Sequence, residues 1–246
     1  MRSALFAPYA DRLFCTITDR HGGVSPAPYD SLNLALHVGD NPENVLQNRI
    51  RLAQKHDYYA ENLIYMEQTH SDRIAIIEDC AFNRIENCDA IVTDRRNIPL
   101  MVMVADCIPV MLYDPVRSVI AAVHAGRNGT FKAIAPKTIR EMEEAFGSDP
   151  GDILALLGPS IHACCYEVGA DLADITIRNF GKTYLREAEG KTYLDLQRLN
   201  LDQLLDAGLK RAHIEISPVC TCCDTDYFSY RREGTTGRFA GVIKLK

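Results

Sequence analysis

Leu100-Met101-Val102-Met103-Val104-Ala105-Asp106-Cys107 is the stretch on which the reading of this chain turns. Its five leading apolar residues are about the length of a strand and too short for a stable helix, so they predict a strand buried on both faces. The run stops at the polar pair Asp106-Cys107. The same pattern recurs twice downstream: Val119-Ile120-Ala121-Ala122-Val123 stops at His124-Ala125-Gly126, and Ile153-Leu154-Ala155-Leu156-Leu157 stops at Gly158-Pro159-Ser160. An apolar strand that ends on a polar residue aims that side chain at the rim of a sheet, where a rigid scaffold can build a site.

Other elements extend outward from these runs. A short strand from Ile74 to Ile77 follows Glu67-Gln68-Thr69-His70-Ser71-Asp72. A β-type run from Phe14 to Thr18 stops at a loop with two glycines and a proline, Gly22, Gly23 and Pro26. Arg238 to Leu245 predicts a closing strand after the turn from Glu233 to Gly237. Asn41 as N-cap and Pro42 at the first helical position start a helix carrying Val45, Leu46, Arg49, Ile50 and Ala53 at helical spacing. Two more helices are predicted, from Pro136 to Phe146 before Gly147 and from Leu196 to Ala207 before Gly208, each ended by a glycine. There is no internal repeat, low-complexity segment or Pro/Gly/Ser-rich linker. The expectation is an α+β fold of mixed β-sheets flanked by helices, in a single domain over residues 1–246.

Bulk properties narrow the function classes. A net charge of -6 argues against non-specific nucleic-acid binding, which needs a basic footprint. No apolar run has membrane length. Met1 to Phe14 carries Arg2, Asp11 and Arg12 and lacks the continuous apolar core of an export signal, so a cytoplasmic location is expected. In that compartment nine cysteines read as free thiols and metal ligands rather than disulfides.

One cysteine and two histidines, His70, Cys107 and His124, therefore arrive next to strands from three separate segments. Thiolate and imidazole are good zinc ligands, and three protein ligands leave a fourth tetrahedral position for water or substrate. A plainer reading stands beside this one. A single histidine near an apolar strand is usually a hydrogen-bonded structural residue, and a cysteine at the end of a buried run is usually a small core side chain.

The motifs Gly22-Gly23-Val24-Ser25, Tyr29 to Leu34, His37-Val38-Gly39-Asp40, Gln68-Thr69-His70, Ala105-Asp106-Cys107, Ala121 to Gly126, Gly158-Pro159-Ser160, Cys165-Tyr166-Glu167-Val168 and Phe228 to Arg232 occur in order along nearly the whole chain. In them the chain resembles the YfiH family, also called the laccase-domain or polyphenol-oxidase-type family and related to the human protein FAMIN. The resemblance implies a YfiH-like, CNF-toxin-like fold, with His70, Cys107 and His124 as both catalytic residues and metal ligands. It implies zinc, with copper as the alternative, and a purine nucleoside phosphorylase acting on adenosine, inosine and methylthioadenosine with phosphate as co-substrate. Adenosine deamination is implied as a second activity.

The chain departs from the family where it reads His124-Ala125-Gly126-Arg127-Asn128-Gly129 in place of His-Ala-Gly-Trp-Arg-Gly. Arg127 would then act from one position earlier than the family arginine. Substrate contacts are also expected from Asn33 and Gln68, whose amides suit a base or ribose or else cap their own loops, and from Arg231, with Arg232 beside it, for phosphate. Asp106 would orient a ligand or cap its turn. Val104, Ile108 and Val123 would supply part of an apolar purine slot. The thiols of Cys220-Thr221-Cys222-Cys223 are either idle, or a second metal site or redox-sensitive patch.

Three other functions compete. A Cys–His hydrolase, including one that edits peptidoglycan precursors, would use Cys107 as nucleophile and His124 as base. A multicopper phenol oxidase needs many histidines in His-x-His pairs, and this chain has seven histidines and no such pair. A non-enzymatic metal-binding module is the third.

Overall fold

The computed structural model describes residues 3–246. Two mixed sheets carry most of it. One has five strands in the order β1 (Leu13–Ile17), β14 (Phe239–Leu245), β6 (Leu100–Val104), β2 (Ile64–Met66) and β4 (Arg84–Ile85). The other has six, in the order β13 (Ile214–Ile216), β9 (Leu154–Leu157), β7 (Ile108–Asp114), β8 (Val119–Ala125), β5 (Ala90–Thr93) and β3 (Ile74–Ile76). A small antiparallel sheet of β10 (Glu167–Val168), β12 (Lys191–Leu194) and β11 (Leu185–Ala188) lies apart. The helices are α1 (Pro42–Lys55), α2 (Arg127–Phe131), α3 (Ile134–Phe146), α4 (Ala170–Phe180), α5 (Leu196–Asp206) and α6 (Tyr230–Glu233). No helix among the described residues is long and apolar enough to cross a membrane.

The continuous apolar runs are explained by burial on both faces. Side chains alternate along a strand. In β6, Leu100, Val102 and Val104 join Met111 and Tyr113 of β7 and Ile120 and Ala122 of β8 in the core shared by the two large sheets. The intervening Met101 and Met103 pack with Leu52 and Ala53 of α1. On β7 and β8, the other set (Val110, Leu112, Ala121, Val123) meets Ile139 and Met142 of α3 and Leu204 of α5. The architecture is thus α+β, two facing sheets with helices outside, as the sequence pattern implies.

Local signals hold with small shifts. The Asn41 side chain accepts from the Glu43 amide at 3.0 Å and caps α1. Gly147 ends α3 in the left-handed region at φ 68°. Within α1 the inward face is Val45, Asn48, Arg49, Leu52 and Ala53, whereas Leu46 and Ile50 are half exposed. The helix turns its polar Asn48 and Arg49 inward because both serve the loop before it. Asn48 Nδ2 donates to the carbonyls of Ser31 and Asn33, and the Arg49 guanidinium donates to Leu34 O and lies 4.0 Å over the Tyr65 ring. The helices α2, α4 and α6 and the strands β2, β4, β5, β7, β10, β11, β12 and β13 were not expected from the sequence. Only Ala173 and Thr176 of α4 are buried, so it has little apolar face to announce it.

Three chain segments cross from the five-stranded to the six-stranded sheet at one end of the sandwich, and residues 86–89, from β4 to β5, are one of them. Residues 67–73 run from β2 to β3, and residues 105–107 run from β6 to β7. His70 lies on the 67–73 crossing, Asp89 on the 86–89 crossing and Cys107 on the 105–107 crossing. His124 is the penultimate residue of β8, two and four residues past Ala122 and Ile120, so alternation turns it to the same intersheet side.

Candidate active site

The three side chains meet at that mouth. The Cys107 sulfur and His70 Nε2 are 3.9 Å apart, and the His70 and His124 rings pack edge to face with centroids 4.8 Å apart. One ligand atom from each of His70, Cys107 and His124 lies within 4.8 Å of the other two. With Zn–S of about 2.3 Å and Zn–N of about 2.0 Å, tetrahedral ligation sets S···N at about 3.6 Å. The donor set and its spacing fit a tetrahedral cation of the zinc type.

The backbone is shaped around this set. Gly126 stands two residues after His124, and a Cβ there would stand 3.0 Å from both the Cys107 sulfur and His70 Cδ2. Glycine at this position lets Cys107 and His70 approach this closely, and a side chain would press on both. His70 and Asp106 sit in left-handed backbone at φ 58° and 88°, a conformation that costs a non-glycine residue and must be held by its surroundings. Asp89 holds the first. Its carboxylate, closed off from solvent, accepts the amides of Thr69 at 3.2 Å, His70 at 3.0 Å and Ser71 at 2.7 Å. The second is held by the Asp106 carboxylate itself, which accepts from Thr221 Oγ1 at 2.7 Å and from the Arg231 amide at 2.6 Å.

Asp89 also receives the Nδ1 hydrogen bond of His124 at 2.7 Å. That fixes the ring and leaves Nε2 toward the site, the arrangement that orients metal-binding imidazoles. Electrostatics follow the geometry. Burial works to raise the Cys107 thiol, but the charge of His124 and hydrogen bonds from His124 and His70 outweigh it and bring the pKa down to about 6. Burial works to lower His124, but the Cys107 charge and the hydrogen bond to Asp89 raise it to about 9.

His70, Cys107 and His124 line a cavity of about 420 Å³. That is within the usual range for small-molecule sites, and its walls mix apolar with converging polar groups. Gln68, Met103, Val104, Asp106 and Ile161 also line it. His37, Tyr166, Tyr230, Arg231 and Arg238 line the rest. Arg231 stacks 5.2 Å from the Tyr166 centroid and donates from Nη1 to Glu167 O at 3.0 Å. Burial lowers His37, and the charges of Arg238 and Arg49 add to this, so the imidazole is neutral near pH 7.

The structure sorts the residues expected from sequence. His70, Cys107, His124, Gln68, Asp106 and Arg231 all reach the cavity. Gln68 spends its amide on the backbone of Met103, at 2.7 and 2.9 Å, and so ties the His70 crossing to β6. Asn33 does not reach it. It is fully buried, and its amide serves Ala35, Asp40 and the Arg238 amide. Arg127 opens α2 and is not a lining residue, although its charge is felt by Tyr166. Arg232 is not placed for phosphate, because its guanidinium holds the carbonyls of Cys222, Asp224 and Tyr227. Of the expected apolar slot only Val104 lines the cavity; Ile108 and Val123 face the helices on the opposite side of their sheet.

Asp89, His37, Tyr166, Tyr230 and Arg238 are the residues that sequence reasoning missed. Asp89 carries a legible signal, since it stands at the head of the apolar strand Ala90–Thr93 just as Cys107 stands at the head of β7.

Comparison with known proteins gives a consistent family. Residues 14–246 match the family described as multi-copper polyphenol oxidoreductase laccase. A purine nucleoside phosphorylase of Corynebacterium glutamicum is 44% identical over 230 residues, covering 93% of this chain and 92% of that protein. The purine nucleoside phosphorylase YlmD of Bacillus subtilis is 34% identical, covering 93% of this chain and 87% of its own length. Among solved structures, the Bacillus licheniformis hypothetical protein YfiH superposes with a TM-score of 0.91 at 36% identity, covering 95% of this chain and 93% of that one. YlmD from Geobacillus stearothermophilus superposes with a TM-score of 0.92 at 32% identity, covering 99% and 94%. A match over nearly the whole length, in both sequence and fold, makes this chain a member of the YfiH family, the family described as multi-copper polyphenol oxidoreductase laccase.

Proposed function

We propose that the protein is a zinc-dependent purine nucleoside phosphorylase acting on inosine, adenosine and methylthioadenosine, with adenosine deamination as a second activity. The observation that carries this reading is one cavity of about 420 Å³ with the His70–Cys107–His124 triad on one wall and the Tyr166, Arg231 and Arg238 side chains on another. The relatives named as purine nucleoside phosphorylases support the substrate class.

In phosphorolysis a phosphate oxygen forms a bond to C1′ of the ribose as the C1′–N9 bond breaks. The bonding pair leaves with the purine, which takes up a proton. The transition state has oxocarbenium character, so catalysis rests on holding phosphate in line and stabilising the leaving base. Arg231 and Arg238 supply guanidinium donors for phosphate. Tyr166, Met103 and Ile161 offer apolar and aromatic surface to a purine. The neutral His37 can donate or accept at a base edge. Asp89 holds His124, and Asp106 holds the Arg231 backbone, so both act by positioning. Zinc held by three protein ligands would keep one position open, where it supplies Lewis acidity to a phosphate oxygen or a water.

A Cys–His hydrolase is the second reading, and a specific observation favours it. Cys107, His124 and Asp89 make a chain of acidic thiol, raised imidazole and buried carboxylate, the pattern of an activated nucleophile. Editing of peptidoglycan precursors would be one such hydrolysis. Copper-dependent phenol oxidation is the weaker reading, because among the described residues only one group of metal donors contains histidine.

The test is purified protein with inosine, assayed with and without phosphate, following hypoxanthine by chromatography. Hypoxanthine and ribose 1-phosphate only when phosphate is present support the proposal. Hypoxanthine formed equally well without phosphate replaces it with hydrolysis, and none from metal-loaded protein sinks it.

A further inference from the structure

A second cluster of metal-type donors lies outside the cavity wall just described. Cys164 and Cys165 sit in the turn after Ile161, and Cys220 and Cys223 form a C-x-x-C turn more than fifty residues later. A parallel bridge between Ser160 and Cys220 brings the segments together, and the Thr221 amide donates to Ser160 O at 3.0 Å. The four sulfur atoms lie within 4.8 Å of one another. The Cys223 sulfur is 3.7 Å from that of Cys164 and 3.3 Å from that of Cys165. Cys222 is not among the four.

This spacing has a chemical meaning. All four are free thiols, and a disulfide would bring two sulfurs to about 2.0 Å. Four thiolates around one zinc, each about 2.3 Å from it, stand about 3.8 Å apart. Packing does not account for the convergence, because Cys164 and Cys223 are exposed and could point into water. Nor is the environment neutral toward the sulfurs. The His162 amide donates to the Cys220 sulfur at 3.4 Å. The first sulfur of the C-x-x-C pair thus accepts a backbone amide from the segment that carries Cys164 and Cys165, the kind of contact a thiolate ligand takes.

The charge around the cluster also fits. Four thiolates and a divalent cation carry a net negative charge. Arg232 donates to the carbonyls of Cys222 and Asp224, at 3.2 and 3.0 Å, and Arg231 donates to Cys165 O at 3.4 Å. Both guanidinium groups therefore sit against the two turns that hold the sulfurs.

We propose that Cys164, Cys165, Cys220 and Cys223 form a structural zinc site with four thiolate ligands, separate from the His70–Cys107–His124 centre. Four protein ligands close the coordination shell, and a tetrahedral sulfur-only shell selects zinc among the common divalent cations. The ion fastens the turn that carries Tyr166 to the turn that carries Thr221, the partner of Asp106, and so braces one wall of the cavity. The proposal does not depend on the reaction assigned to that cavity.

The experiment is metal analysis by mass spectrometry on full-length protein purified without added metal, as wild type, as C107A and as the double variant C165S/C223S. The wild type should hold two zinc ions per chain, and each variant one. Cobalt loaded into C107A should give the intense visible bands of a tetrathiolate centre. That measurement stands even if the double variant does not fold, because C107A leaves the four-cysteine cluster untouched. A C107A protein with no zinc, iron or copper in place of zinc at the cluster, or a Cys165–Cys223 disulfide in peptides from the native protein would each overturn it.

Discussion

Asp89 accepts the Nδ1 hydrogen of His124 at 2.7 Å, and the same carboxylate accepts the backbone amide of His70 at 3.0 Å. One buried carboxylate thus orients one imidazole by its ring and the other by its backbone. Burial works to raise this acid, but hydrogen bonds from His124 and Ser71 and the His124 charge outweigh it and hold it well below the usual carboxylate range.

Replacing Asp89 with Asn keeps the shape and removes the charge. We expect metal affinity at the His70–Cys107–His124 centre to fall by roughly 10–100-fold, as when other hydrogen-bond partners of metal-binding histidines are lost. Competition with a chromophoric chelator measures it. Because the folded-state pKa is depressed, this carboxylate contributes stability that is present above about pH 4 and is lost as pH falls further. Acid titration of the variant should therefore show a shallower loss of stability over that range than the wild type shows.

Gly126→Ala tests the close approach. The backbone there is extended, at φ -73° and ψ 175°, so alanine meets no conformational strain. Its methyl group would press on the Cys107 sulfur and His70 Cδ2 at 3.0 Å. We expect kcat/KM to fall by at least about tenfold, equivalent to about 1.4 kcal/mol, while the thermal midpoint stays close to wild type. A variant with full activity would show that the ligands can spread without consequence.

Arg231→Ala should weaken phosphate use by roughly 1–3 kcal/mol if a charge-assisted hydrogen bond is lost. The loss should appear as a raised KM for phosphate with metal content unchanged, and Lys at this position should restore part of it. An equal effect on hypoxanthine release at saturating phosphate would instead assign Arg231 to holding the cavity wall.

In metal-stripped protein the low pKa of Cys107, about 6, leaves it ionised at neutral pH. Only the thiolate reacts with iodoacetamide. Its alkylation rate should be nearly flat between pH 7 and pH 8, where an ordinary thiol accelerates by about tenfold. Peptide mass spectrometry across that range reads both in one sample, and metal loading should protect Cys107.

Loss of Cys107 as a ligand gives the most direct check on the centre itself. Cys107→Ala removes a thiolate and its charge, so one metal equivalent per chain should be lost on dialysis against a weak chelator. Retention of the full complement would remove Cys107 from the ligand set.

The elements readable from sequence are those whose residues report their own burial. Leu100–Val104 and Val119 onward are apolar at every position because each face of the strand meets a different packed layer. Asn41, Gly147 and Gly208 mark helix ends through local backbone chemistry. His70, Cys107 and His124 were legible in the same way, as polar residues set beside apolar strands, with the family resemblance joining them. What the sequence by itself determined was therefore the strands that are apolar throughout, the ends of three helices and the choice of His70, Cys107 and His124 as candidate site residues. Tertiary structure alone decided that the chain changes sheets at residues 67–73 and 105–107, which is what brings His70 to Cys107. It also turned Asn33 into the fold and Arg231 into the cavity, and gathered four cysteines from two distant turns. These outcomes depend on contacts between residues far apart in the chain, such as Asp89 with His124 and Ser160 with Cys220, and no local pattern of residue types encodes which distant partner a side chain will meet.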